Sequence, residues 1–312
     1  MAGLNPVRYP GGKGRRSIVD RVLSLYPDGS LDGVTWVEPF CGGCGLGLAL
    51  VDRGVVGSAI FNDGDHRIAS MWRAMAYQTD DFVRWIDGVS VNMVTFREMR
   101  RVANDPDAGS FERGTATYFL NRTCRSGYID GGVIGGNDQS GRYRMDCRFN
   151  KPELERRVRR IGELAADGRV RFVGPYDAVT LVRLLCGVYA AGTGSASDAV
   201  AGGVGTMPYE DVPRVSDGGN LFLYADPPYV VKGAACYRRG VDHDELARCL
   251  RDVGDMGVRW LCSYDDCERV RELYAGYRME PLSITYSNND RTRGRTDELL
   301  IMSEPARDTD GA

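Results

Sequence analysis

The sequence predicts an α/β fold, a mostly parallel, doubly wound sheet interrupted by a helical insertion. Three observations carry this. Short apolar runs alternate with segments of helical period at both ends of the chain. A glycine-rich loop follows one of those runs directly, and a Pro-Pro turn follows another. Between about residues 77 and 164 the alternation stops, and an arginine-rich, helical and loop-like stretch takes its place.

The elements follow in order. Ile18, Val19, Val22, Leu23 and Leu25 share one face, so 15–26 reads as a helix. Residues 34–37 form a short buried strand, and a helix over 46–53 follows the glycines. A second strand at 55–61 closes on Asn62-Asp63-Gly64-Asp65, and 68–77 is helical. A third strand at 169–173 leads into a helix over 177–188. The stretch 190–220 is rich in Gly, Ala and Ser and has no apolar period, so it reads as a long flexible loop. A fourth strand at 221–225 runs into Asp226-Pro227-Pro228-Tyr229. Then come a helix at 242–253, a strand at 258–264 and a helix at 266–274. Segments 282–286 and 298–302 read as a closing hairpin around the polar turn 287–296.

Composition narrows the function classes. Of 312 residues, 43% are hydrophobic and 27% charged, the balance of a soluble globular protein. No run approaches the roughly 18–20 apolar residues of a membrane span, and the first sixteen residues have no signal-peptide core. The nine cysteines are an odd number and only two histidines accompany them, so reduced thiols and no metal site are expected. A net charge of −3 argues against indiscriminate coating of nucleic acid. It leaves room for a local basic face. From 142 to 160 eight basic residues stand against three acids. Such a surplus suits phosphate contacts, although a solvated arginine-rich helix would look the same.

Four constellations bear on chemistry. Trp36-Val37-Glu38-Pro39-Phe40 leads into Cys41-Gly42-Gly43-Cys44-Gly45-Leu46-Gly47 and a helix. Strand, glycines, helix is how α/β sheets let backbone approach a nucleoside, though tight helix packing alone would use the same glycines. Asp63, at the end of the next strand, can accept both hydroxyl hydrogens of a ribose; its alternative is a helix cap, for which Asp65 is better placed. No phosphate cradle is evident, which favours a nucleoside over a dinucleotide. At Asp226-Pro227-Pro228-Tyr229 two prolines remove two N–H donors. The turn presents acceptors, the Asp226 carboxylate and the Pro227 carbonyl, beside the aromatic plate of Tyr229. That suits an exocyclic amine on a nucleobase. Finally, Arg8-Tyr9-Pro10-Gly11-Gly12-Lys13 offers an aromatic face and a positive charge, or else is an ordered N-terminal turn with a solvated lysine.

Together these motifs resemble the Dam-type class of DNA adenine-N6 methyltransferases, over most of the chain. Ser287-Asn288-Asn289 and Thr296-Asp297-Glu298-Leu299-Leu300 resemble that family's last hairpin, and Tyr118-Phe119-Leu120-Asn121-Arg122-Thr123-Cys124 resembles the opening of its recognition region. The resemblance implies a Rossmann-like S-adenosylmethionine-dependent methyltransferase sheet, built from 1–76 and 165–312, with 77–164 as a helical DNA-recognition insertion. It implies S-adenosylmethionine as cofactor, held by Tyr9, Lys13, Glu38, Phe40, Gly43, Asp63 and Asp226. Asp226, Pro227, Pro228 and Tyr229 would be catalytic, acting on N6 of an adenine flipped out of double-stranded DNA. Arg122, Arg125, Arg142, Arg144, Arg156 and Arg157 would contact the DNA. A cytoplasmic setting follows, and a cognate restriction endonuclease is a partner class that the sequence does not decide. After Cys124 many relatives continue with an aromatic, Asn-Gly and a later Arg; here Arg125-Ser126-Gly127-Tyr128-Ile129-Asp130 stands instead, so GATC is not assumed as the target.

Methylation of cytosine N4 would more often place Ser at position 226, and methylation of protein glutamine would more often place Asn there. RNA as substrate and a DNA-binding regulator without activity are further alternatives. A nicotinamide dehydrogenase would need a pyrophosphate turn that is missing.

Overall fold

The computed structural model describes residues 4–9, 13–187, 220–230, 241–285 and 295–305. Strands β1 (Thr35–Glu38), β2 (Ser58–Phe61), β3 (Val170–Phe172), β4 (Leu221–Ala225), β5 (Arg259–Asp265), β6 (Tyr277–Thr285) and β7 (Arg295–Pro305) form one sheet. Its order is β3-β2-β1-β4-β5-β7-β6. The first five run parallel, while β7 lies antiparallel between β5 and β6. From β1 the chain steps outward to β2 and β3, then returns to the other side of β1 as β4. The order therefore reverses between the C-terminal ends of β1 and β4, where open α/β sheets bind their ligands. The fold is the expected Rossmann-like arrangement.

The parallel strands read as unbroken apolar runs because both faces are buried. Trp36, Phe222 and Tyr224 point to one face; Val37, Leu223 and Ala225 point to the other. The second face is covered by α8 (Ala178–Leu185), α9 (His243–Asp255) and α10 (Glu268–Leu273). On the first face lie α1 (Arg16–Leu23), α2 (Gly45–Asp52) and α3 (His66–Tyr77). Trp36 stacks there on Phe222 at 4.9 Å between ring centroids, and Trp72 of α3 on Phe172 at 5.1 Å. Asp65 caps α3 as expected, accepting the Arg67 N–H at 2.9 Å.

The arginine-rich middle supplies α4 (Thr79–Gly88), α5 (Met93–Ala103), α6 (Ser110–Thr123) and α7 (Lys151–Ala166). Phe82, Ile86, Phe96, Val158 and Ile161 from these helices join the same apolar cluster as Met71 and Trp72 of α3. The helical segment thus continues the core on the first face of the sheet. Helix α6 is buried on every side from Arg113 to Thr123, which is why no amphipathic stripe announces it. Its polar side chains need internal partners. Thr117 and Thr123 donate to carbonyls one turn back, whereas Asn121 and Arg122 reach outside the helix.

Several elements differ in extent from expectation: the helix expected over 15–26 ends at Leu23 and that expected over 177–188 at Leu185. The strand expected over 55–61 starts at Ser58, because Gly54 takes a left-handed φ of 70° and Val55 and Gly57 bond back to Leu50 and Val34. The closing hairpin is longer on both strands, since pairing continues through the mixed-polarity run Tyr277-Arg278-Met279-Glu280. The expected loop at 190–220 (Asn220 excepted), Gly11, Gly12 and residues 287–294 of the expected turn lie outside the described residues.

Candidate active site

Two loops meet where the strand order reverses. The first leaves β1 at Glu38, whose side chain is buried. Its Oε1 accepts the Trp36 indole N–H at 3.0 Å and the Gly47 N–H at 2.7 Å, so it clamps the first turn of α2 to the strand. Burial pushes this carboxyl up to about 8, against the pull of those two donors. Gly47 has no room for a side chain, for an added Cβ would collide with Phe61, Glu38 and Trp36. Gly42 adopts a φ of 44°, and both Gly42 and Gly43 lie so close under Tyr9 that a Cβ on either would overlap it. The glycines therefore seat the N-terminal aromatic directly on the loop. Phe40, half-buried, packs toward the second face of the sheet.

Asp63 fastens this loop to the end of β2. Its Oδ2 accepts the Gly42 N–H at 2.9 Å and its Oδ1 the Asp65 N–H at 2.9 Å. Each oxygen keeps a second lone pair, which is what a vicinal diol needs. Burial pushes Asp63 up to about 7, partly offset by the two backbone donors. Beside it, Arg67 forks between Asp65 at 2.7 Å and Asp130 at 2.7 Å, tying the acidic loop to the segment after α6.

The second loop leaves β4 at Asp226. Ser263 on β5 donates to Asp226 Oδ1 at 2.6 Å, and the Tyr224 hydroxyl lies 3.0 Å from Ser263 Oγ. Lys13 Nζ approaches the same Oδ1 at 3.4 Å. It also contacts Glu298 Oε2 of β7 at 2.5 Å and donates to the Tyr229 hydroxyl at 3.1 Å. One ammonium is shared between two carboxylates. Burial and the negative charge of Glu298 raise Asp226 above the usual carboxylate range, while Lys13 pulls it back. Burial alone would lower Lys13, but Asp226 and Glu298 outweigh it and raise the ammonium. Pro227 is buried, and Pro228 and Tyr229 are half-buried at the mouth of the turn.

The structure thus gathers Tyr9, Lys13, Glu38, Gly43, Asp63, Asp226 and Tyr229 at one end of the sheet, with Phe40 at its margin. Sequence reasoning gave no role to Ser263 or Glu298. Glu298 carried a signal, an acid entering the apolar run Leu299-Leu300-Ile301-Met302; a lone serine inside a strand carried none.

The arginines divide. Arg125, Arg142 and Arg144 are exposed, and the Arg142 guanidinium lies over the Tyr143 ring at 5.4 Å. Arg156 is exposed but ion-paired with Glu153 at 2.9 Å. Arg157 pairs with the same Glu153 at 2.7 Å and donates to the Asn5 carbonyl. Arg122 is buried, its guanidinium bonded to the carbonyls of Arg148 and Pro6, and burial pushes its pKa down to about 10. The latter two point inward, to backbone.

A family model described as D12 class N6 adenine-specific DNA methyltransferase matches residues 9–180, more than half of the chain. No curated protein matches the sequence. Among solved structures, the rRNA methyltransferase aviRa from Streptomyces viridochromogenes is similar at 16% identity, over 92% of this chain and 83% of that one. The TM-score is 0.34.

Proposed function

The chain belongs to the D12 class of N6 adenine-specific DNA methyltransferases, and from that premise we propose that it transfers the methyl group of S-adenosylmethionine to N6 of an adenine everted from double-stranded DNA. The observation that carries this reading is the surplus of acid where the strand order reverses. Asp226 and Glu298 share Lys13, and Asp63 lies beyond the neighbouring glycine loop. Such a site disfavours an anionic ligand and favours one with cationic groups. S-adenosylmethionine sets a sulfonium and an ammonium against one carboxylate, and it carries a ribose diol.

The residues present fit that molecule. The spare lone pairs of Asp63 would take the ribose hydroxyls, and Tyr9 and Phe40 would offer aromatic faces. Lys13 would meet the carboxylate, and Glu38 and Gly43 would hold the loop in shape. When bound, the sulfonium supplies a methyl group already activated for displacement. What is left to the protein is positioning. Asp226 Oδ1 is held by Ser263 and Lys13, which leaves Oδ2 to accept one N6–H while the Pro227 carbonyl accepts the other. Two acceptors on one amino group favour a pyramidal nitrogen with a localised lone pair. The raised Asp226 is also a better base than an ordinary carboxylate for the proton that N6 must lose.

Adenine N6 lies on the pairing edge, so the base must leave the stack to reach this corner. Stacking on Tyr229 would offset roughly 1–3 kcal/mol of that cost. In this reading 1–76 and 165–312 hold the cofactor, and 77–164 reads DNA through the exposed Arg125, Arg142 and Arg144. No helix among the described residues is long and apolar enough to cross a membrane. The test is to incubate the protein with methyl-labelled S-adenosylmethionine and mixed-sequence DNA and to identify the labelled base. N6-methyladenine is expected; label confined to cytosine, or to RNA offered in its place, would overturn the proposal.

A further inference from the structure

Residues 5–9 belong to no helix or strand, yet they set the position of Tyr9 on the glycine loop. Most of what holds them comes from the helical segment 77–164. Asn121, fully buried on α6, accepts the Arg8 N–H at 3.0 Å with Oδ1 and donates back to the Arg8 carbonyl with Nδ2. This side-chain amide pairs with backbone from both sides, as a neighbouring strand would. The same Nδ2 donates to Gly127 at 3.0 Å, and Gly127 packs so tightly that a Cβ there would overlap the Arg8 carbonyl. Arg122 Nη1 donates to the Pro6 carbonyl at 3.3 Å while its Nε holds the Arg148 carbonyl at 3.0 Å. Arg157 on α7 donates to the Asn5 carbonyl at 2.7 Å. On the cofactor side, Asn5 Nδ2 donates to the Gly43 carbonyl.

We propose that Asn121, supported by Arg122 and Arg157, is a positioning residue through which the helical segment sets the cofactor-binding strap. Engagement of DNA by that segment and binding of cofactor are then linked. This rests on the functional reading above. The ties run from α6, α7 and the Gly127 turn to residues 5–8, and from there to Tyr9 on Gly42 and Gly43. The Arg148 carbonyl, one helical turn beyond the exposed Arg144, is gripped by the same guanidinium that holds Pro6. A shift of the recognition surface on nucleic acid moves this strap, and by reciprocity the cofactor changes DNA affinity by the same factor.

The test measures the dissociation constant of S-adenosylmethionine by calorimetry on the full chain, without and with an adenine-containing duplex of mixed sequence. For the wild type the two values should differ several-fold. Asn121→Ala should bind cofactor about tenfold more weakly without DNA and lose most of the difference that DNA makes. Melting curves confirm that the variants are folded. Should Asn121→Ala fail to fold, Arg157→Ala, on a more exposed helix, should give the same changes on a smaller scale. A folded Asn121→Ala, or in its place Arg157→Ala, with wild-type affinity and wild-type coupling would overturn the inference, as would a wild type whose cofactor affinity ignores DNA. Failure of the functional reading looks different: the wild type would then transfer no label to DNA, whatever the variants do.

Discussion

At the scale of single residues, Asp226 divides its two oxygens between different tasks. Oδ1 takes the Ser263 hydroxyl and faces Lys13, which fixes the carboxylate plane; in the proposed reaction Oδ2 is the oxygen left for the amine. Asp226, Asp63 and Lys13 were legible in the sequence because each stands beside proline or glycine, the two acids at the ends of apolar runs. Ser263 was not, since nothing punctuates Leu261-Cys262-Ser263-Tyr264. Glu298 was visible as a charge, but its partner lies 285 positions away and only the fold supplies it. Asp63 yields a pH prediction. Burial pushes it up to about 7, and a protonated carboxyl loses acceptor capacity for a diol. Cofactor affinity should therefore tighten as pH rises from 6 to 8 and level off above. Titration calorimetry across that range should find weaker, flatter binding in Asp63→Asn; an identical slope in the variant would move the dependence to another group.

At the scale of elements, buried acid clamps the glycine loop between β1 and α2. Glu38 joins β1 to α2 through two hydrogen bonds, and this placement costs stability once the carboxyl ionises. The sign follows from proton binding. The folded group keeps its proton up to about 8 while the unfolded one releases it near the ordinary glutamate value, so the native state binds more protons in between. Ligand-free stability should fall as pH rises from about 4.5 to 8. Glu38→Gln keeps an acceptor for Trp36 and Gly47 and should flatten that fall in melting temperature. A fall as steep as in the wild type would contradict this assignment. Strand and helix order was legible because apolar period and turn residues are local signals. The boundary that moved to Tyr277 was set by pairing with β7, which local pattern does not encode, whereas the one at Ser58 follows from the left-handed turn at Gly54.

At the scale of the molecule, a net charge of −3 coexists with a proposed recognition face that presents Arg125, Arg142 and Arg144 to solvent. The basic surplus of 142–160 was legible; its division was not. Composition cannot tell an arginine bound for phosphate from one that braces backbone, as Arg157 does beside Arg122 of α6. Nor could amphipathic patterning reveal that α4 to α7 share a core with the sheet, because a stripe does not name its partner. Replacing Arg142 and Arg144 together with Ala should make the salt dependence of DNA binding shallower, by about 0.9 in the log–log slope for each phosphate that is no longer neutralised. Arg156→Ala should change it less, since Glu153 already neutralises that charge. Fluorescence anisotropy from low to moderate salt reads both, and equal slopes for all three proteins would remove this face from the interface.

The most direct measurement on the acceptor corner is single-turnover methyl transfer by Asp226→Asn, with cofactor affinity measured alongside. An amide at this position keeps the shape and one acceptor but loses the charge. Cofactor binding should stay within a few-fold of wild type, and the transfer rate should fall by about 10²-fold or more. Transfer to adenine at a near-wild-type rate would contradict this role of Asp226.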